Sequence, residues 1–305
     1  MSNNTFISAN NYQTNLIEGL VKSYDFGNPL KQSEFTKLGY KKMSSDQAYE
    51  TFVSADALQP PSIVGAGQAP RFQITQERYQ KQFTPVVVST GFQIDETAIE
   101  DGKAFSILEK GMSQIPNAFN KTKELIAVIP FNGGYTETCW DGSAIFSTSH
   151  ALPQNGGTQS NILSSAAPLS KTAVQNLLTI INTSKDYNGY ESNRTALRLI
   201  VHPNNEWVAK EITASPYNPE NANNAINAIY NVLPEGYVCN RYLTNTANWF
   251  ILTDEMDSLV HIERRALRTR TESKIAERLE MVLADERYSM GIVNPFGLFG
   301  SGNNV

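Results

Sequence analysis

The stretch DETAIEDGKAFSILEKGMSQIPNAFNKTKELIAVIP, Asp95 to Pro130, decides how the chain is built. Following Ile94, apolar residues fall at Ala98, Phe105, Leu108, Met112, Ile115, Phe119, Ile126 and Ile129, in steps of three, four and seven. That spacing places one apolar stripe along a helix. Asp95 is placed to cap it, and Glu96, Glu100 and Asp101 put negative charge near its start, where the helix dipole favours it. Gly111 and Pro116 should bend the helix midway, and Pro130 should close it. From Glu96 to Ile129 it would reach about 50 Å. A helix of that length is a beam on which separate lobes are mounted.

Working outward, residues 47–93 turn strand-like. Phe72 and Ile74 alternate with polar neighbours, and Pro85-Val86-Val87-Val88 is rich in β-formers. The Pro- and Gly-rich run from Pro60 to Pro70 has the composition of a tip, so an extended hairpin of two long strands is expected. An isolated hairpin is marginal in water, so this one should pack on something outside its own domain. That points to an assembly. Residues 1–46 read as an arm. In it Leu16, Leu20 and Tyr24 form one face of a short helix that ends at Phe26-Gly27-Asn28-Pro29.

Beyond the beam, Asn132 to Pro168 is rich in loops. A helix is predicted over Leu169–Ser184, capped by Ser170, with Ala173, Leu177, Ile180 and Ile181 on one face. A buried strand, Leu197–Val201, leads through His202-Pro203 into a helix at Glu206–Ala214. Further strands are predicted at Gly236–Tyr242 and Trp249–Leu252. This alternation indicates an α/β lobe from about 166 to 254. Two strands between Leu259 and Tyr288 are expected to join through a charged turn at Arg268–Lys274.

The 305 residues carry a net charge of −5, with 40% hydrophobic and 18% charged residues, which argues against a general nucleic-acid binder. No secretory signal and no membrane-length apolar run is present. Cys139 and Cys239 read as free thiols. No phosphate-cradling loop or nucleophile elbow occurs. The histidines His150, His202 and His261 are dispersed, so no metal cluster is expected. Cys139 with His150 is the best catalytic pair, and a cysteine hydrolase needs them within about 3 Å beside an enclosed pocket. Asp254 and Asp257 read as a solvated turn. The run Glu263, Arg264, Arg265, Arg268, Arg270, Glu272, Lys274, Glu277, Arg278, Glu280 fits either a solvated strand surface or a contact between identical copies.

Several stretches then fall into a familiar order. Gly91 to Asp101 resembles the acidic start of the spine helix in tailed-phage major capsid proteins. Ile145-Phe146-Ser147-Thr148-Ser149-His150, with Asn155-Gly156-Gly157 and Ser160-Asn161, resembles the following loop in Mu-like major head subunits. Leu199 to Pro203 leading into Trp207-Val208-Ala209, Tyr242 to Asn245 leading into Trp249 to Leu252, and Glu286 to Gly291 with Phe296-Gly297 are similar to that family's later signatures. The order covers most of the chain from about residue 36.

The resemblance implies an α+β, Hong Kong 97-type capsid fold. Its parts would be an N-terminal arm (1–46), an extended β-hairpin loop (47–93), a peripheral domain with the long spine helix (94–165), and an α/β axial domain (166–254). Peripheral strands (255–290) and a C-terminal segment returning to the axial domain (291–305) would complete it. The implied function is a structural, non-enzymatic major head protein of the virion, assembled in the host cytoplasm through pentamers and hexamers into an icosahedral shell around double-stranded DNA. Expected partners are further copies, a portal protein, a separate scaffolding protein and decoration proteins, with no cofactor, metal or membrane. No long scaffolding segment precedes the arm, and no crosslinking pair is carried over. Interface candidates are Ile63, Val64, Arg71 and Phe72 on the hairpin, and Arg264, Arg265, Arg268, Arg270, Glu272 and Lys274 on the charged run. An encapsulin-like nanocompartment shell is the alternative within the same fold.

Overall fold

The computed structural model describes residues 34–55, 58–100, 104–152, 157–217, 226–255 and 257–301, without the side chains at 98 and 104–110. In chain order the elements are β1 (Lys41–Ser44), β2 (Glu50–Ala55), β3 (Glu77–Phe83) and β4 (Val86–Asp95), then α1 (Glu96–Glu100), α2 (Ala104–Ala127) and α3 (Ile129–Asn132). There follow β5 (His150–Leu152), β6 (Gly157–Gln159), α4 (Lys171–Asn182), β7 (Ala196–Val201), α5 (Glu206–Ala214), β8 (Tyr237–Cys239) and β9 (Trp249–Thr253). The chain closes with β10 (Leu259–Lys274), β11 (Leu279–Ile292) and β12 (Leu298–Ser301). The predicted arm helix around Leu16–Tyr24 lies outside the described residues.

The beam exists, in pieces. Asp95 ends β4, and its carboxylate accepts the Thr97 amide at 3.0 Å, as a capping residue does. The continuous part is α2, 24 residues with Pro116 inside it, or about 36 Å. Met112, Ile115 and Phe119 bury against Ile94, Val282 and Ala284, and each such side chain contributes about 1.5–3 kcal/mol. Gly111 matters because the Phe92 ring lies where its side chain would be, 3.3 Å from an added Cβ. The predicted end is corrected. The helix stops at Ala127, because the ring of Pro130 would clash with the carbonyl of residue 126. Pro130 instead takes the first turn of α3, where a missing N–H costs nothing. Ile129, expected on the apolar stripe, is therefore exposed. Phe105 and Leu108 fall outside the described side chains.

The α/β lobe is a four-stranded sheet in the order β12-β9-β7-β8, with only β7–β8 parallel. Helix α4 starts where expected: the Ser170 hydroxyl accepts the Ala173 amide at 3.2 Å. Its buried face, Ala173, Val174, Leu177, Leu178 and Ile181, meets Trp249, Ile251, Phe296 and Phe299. Of the expected face residues, Ile180 is only half-buried.

The second large sheet runs β1-β10-β11-β4, antiparallel except for β1 beside β10. Here the predicted turn is displaced. Arg268 to Lys274 are strand residues of β10, and the reversal is at 275–278, with Arg278 at φ +50°. No glycine or asparagine marks that turn, so its chemistry was invisible in the sequence. A third core joins the sheets: Ile200, Phe250 and Leu252 pack with Phe35, Leu38, Phe131, Phe146, Leu259 and Leu298. Phe250 stacks on Phe146 at 4.9 Å and meets Phe131 edge-on at 5.3 Å.

Candidate functional site

The residues with the most chemical potential sit in the loop after the beam. Cys139, Asp141 and His150 bring their donor atoms within 4.8 Å of one another, a cluster that the scattered histidines of the sequence did not predict. Asp141 is its hub. Its carboxylate accepts the Cys139 thiol at 2.7 Å, the His150 Nδ1 at 2.7 Å and the Ser143 amide at 3.0 Å. Burial alone would raise the Asp141 carboxyl, but the bonds from His150 and Cys139 outweigh it and hold its pKa down. Burial, and then Asp141 itself, push the Cys139 thiol up to about 12.

The hydrolase reading fails on this geometry. Cys139 is 6% exposed, stays a thiol at neutral pH, and bonds Asp141 instead of His150. The trio offers donors of the kinds zinc takes, but ligands around a tetrahedral zinc stand about 3.3–3.7 Å apart. These contacts are closed to hydrogen-bond length, and they staple the 139–150 loop. Asp254 and Asp257 do not pair: Asp254 accepts from Thr195, and Asp257 from Lys41.

The hairpin differs from expectation in its reach. β2 and β3 pair from Glu50 with Phe83 to Ala55 with Glu77, six and seven residues. Phe72 and Ile74 lie beyond the ladder, and Val86–Val88 belong to β4, which pairs with β11. Pro60, Pro61, Pro70 and Pro85 lack the donors that longer strands would need. The stem rests on its own chain: Phe83 buries with Val260, Ile262 and Val293, and Tyr79 stacks on Trp140 at 6.0 Å, beside Tyr187.

Past the stem, Gln59 and Gln73 hold the two legs of the loop together. The Gln59 amide donates to Gln73 Oε1 at 2.7 Å, and Gln73 Nε2 donates to the Gln59 carbonyl at 3.0 Å. The loop borders an open cleft of about 630 Å³ with Asp186 and Tyr190. Ile63 is fully exposed and Phe72 is 88% exposed, with Ile74, Val64 and Arg71 also in solvent.

The charged run of β10 is organised by a residue that sequence reasoning passed over, Asp285 of β11. Its side chain is buried, and Arg265, Arg268 and Arg270 all bond it, the last two at 3.1 Å. Arg268 lies directly across the ladder from Asp285, and Arg270 across from Leu283. Arg287, two residues along β11, donates to the Pro85 carbonyl at 3.0 Å. Of the other candidates, Lys274 pairs with Glu277 at 3.7 Å, while Arg264 and Glu272 make no ion pair among the described residues. The signal for Asp285 was available, as an acid in strand alternation opposite the arginines.

Sequence and fold comparisons agree with this architecture. The profile described as phage capsid protein matches residues 79–300. The chain belongs to the phage capsid protein family. As a member it is a structural protein of the virion capsid, not an enzyme, and the match favours a phage shell over an encapsulin. No curated protein sequence matches it. Among solved structures, a subunit of the PhiM1 bacteriophage mature capsid superimposes with a TM-score of 0.56 at 11% identity, covering 92% of this chain and 90% of that one. The capsid of Myoviridae phage XM1 gives 0.54 at 10% identity, covering 91% and 94%. The procapsid of bacteriophage JBD30 gives 0.52 at 13%, covering 96% and 76%. These likenesses establish the Hong Kong 97-type α+β fold for this capsid protein.

Proposed function

We propose that this capsid protein assembles with copies of itself, through pentamers and hexamers, into an icosahedral shell enclosing double-stranded DNA. The observation that carries this is the loop from Leu58 to Gln76, whose Ile63, Phe72 and Ile74 side chains stand in solvent with little cover from the described residues. Burying Phe72 and Ile63 on a neighbour would contribute roughly 1.5–3 kcal/mol each. Spread over several neighbours, each subunit should bury beyond ~2,000 Å². Ile63, Val64, Arg71 and Phe72 are the proposed hairpin contacts, and the arginine face of β10 is a second.

In this reading residues 1–46 serve as an arm and 47–93 as the reaching loop. Residues 94–165 and 255–290 form the peripheral domain, 166–254 the axial domain, and 291–305 return to it. A portal, a separate scaffolding protein and decoration proteins are the proposed partners, with assembly in the host cytoplasm. The chain's net negative charge suits a container that holds DNA without gripping it.

Deleting Gln59–Pro70 tests the reading. The shortened protein should stay folded and soluble and should form few or no particles by negative-stain microscopy. Particles of normal yield and size would remove the role given to the loop.

A further inference from the structure

The arginine cluster is incomplete within one subunit. Arg265, Arg268 and Arg270 converge on the one carboxylate of Asp285. Arg264 and Arg287 stand close enough that, after partial burial, the charges of Arg268, Arg270, Arg287 and Arg264 press the Arg265 pKa downward. A single buried acid does not neutralise five guanidinium groups, and each bonded arginine keeps N–H donors unused. The cluster lies on the sheet face turned away from α2. On β11, Ala284 and Val282 bury toward the helix, while Leu283 on the other face is exposed.

That face also carries its own complement. Between Arg268 and Lys274 the β10–β11 register is unbroken, so Arg268, Arg270 and Glu272 share one row of alternating side chains. Glu272 is exposed and has no ion partner among the described residues. A row with both signs, flanked by exposed Leu283 and Val87, is self-complementary in the way that contacts between identical copies require. Asp285 is already taken up by its three arginines, so the free acid on this face is Glu272, which a second copy's arginines can use and a phosphate backbone cannot.

We infer that the β10–β11 face docks on a second copy of this chain, with Arg268 and Arg270 receiving the Glu272 carboxylate of that copy. The inference rests on the shell reading and names the chemistry of one of its contacts.

The test is a charge swap in the full chain, read by sedimentation and negative-stain microscopy. Arg268→Glu with Arg270→Glu should cut the assembled fraction at least tenfold. Adding Glu272→Arg to that pair should restore most of it without raising the subunit's melting temperature, which separates a contact between copies from repair within one subunit. Arg270→Gln, at a side chain that is 56% exposed, should leave the melting temperature unchanged while weakening assembly and its dependence on salt. Wild-type particle yield from the double reversal, with wild-type protein assembling normally beside it, overturns this contact and leaves the shell reading standing. Wild-type protein that never assembles overturns both. Failure of Glu272→Arg to rescue, with loss of retention on a DNA column instead, overturns it in favour of phosphate as the occupant.

Discussion

His261 shows how one side chain can set a pH limit. It is buried between the rings of Phe35 and Tyr288, both edge-on at 5.5 Å, and neither ring nitrogen has a hydrogen-bond partner among the described residues. Burial, and then the nearby Lys123, lower its pKa to about 4, against the opposing pull of Glu263; Lys42 adds to the lowering. A base whose folded pKa lies below its ordinary 6.5 resists protonation in the native state. Its stabilising effect is complete above about pH 6.5 and is lost as pH falls from there through 4. The neighbouring Glu286, raised by burial against its bond with Lys123, works in the opposite sense. His261→Leu should therefore flatten the acid limb, where one site gives at most about 1.4 kcal/mol per pH unit. Denaturant unfolding of wild-type and variant subunits between neutral and mildly acidic pH measures the difference. Equal slopes would show that His261 does not titrate with unfolding. Nothing in the sequence marked this residue, because a lone histidine declares neither its burial nor its partners. The same holds for Asp141, whose role depends on a loop bringing together residues that spacing leaves apart.

Among the elements, those that declare themselves locally were readable. The caps Ser170 and Asp95, the stripe of Met112, Ile115 and Phe119, and the bounds of α5 all follow from short-range chemistry that the folded chain keeps. Elements defined by their partners were not. The end of β3 and the start of β4 depend on which neighbour accepts each ladder, and the β10–β11 turn contains no residue that favours φ > 0. That turn makes a prediction. Arg278 holds a left-handed conformation that disfavours side chains, and its carbonyl accepts the Glu96 amide at 3.0 Å. Arg278→Gly relieves the backbone while keeping the carbonyl, so it should raise subunit stability by up to about 1 kcal/mol. An unchanged or lowered denaturation midpoint would count against the assignment.

At the level of the whole molecule, the lobes share substance. Strand β9 turns Trp249 and Ile251 into the α/β core, and Phe250 and Leu252 into the core shared with the other sheet. Both cores thus hang on five consecutive residues, and the subunit should melt in a single transition by calorimetry. Phe250→Ala should cost about 3–5 kcal/mol and lower that transition without splitting it. Two separated transitions would mean that the lobes unfold independently. This sharing was not legible beforehand, because WFILT reads as one buried strand whichever cores it serves.

The aromatic seat under the hairpin has one more consequence. Trp140 forms a three-ring cluster with Tyr79 of the stem and Tyr187 of the body, so its indole emission reports whether the stem is seated. Trp249 is wholly enclosed and Trp207 stands in solvent, which gives the chain an internal standard and an external one beside that reporter. The molecule thus comes fitted with its own optical gauge, able to register a lift of the stem without any attached dye.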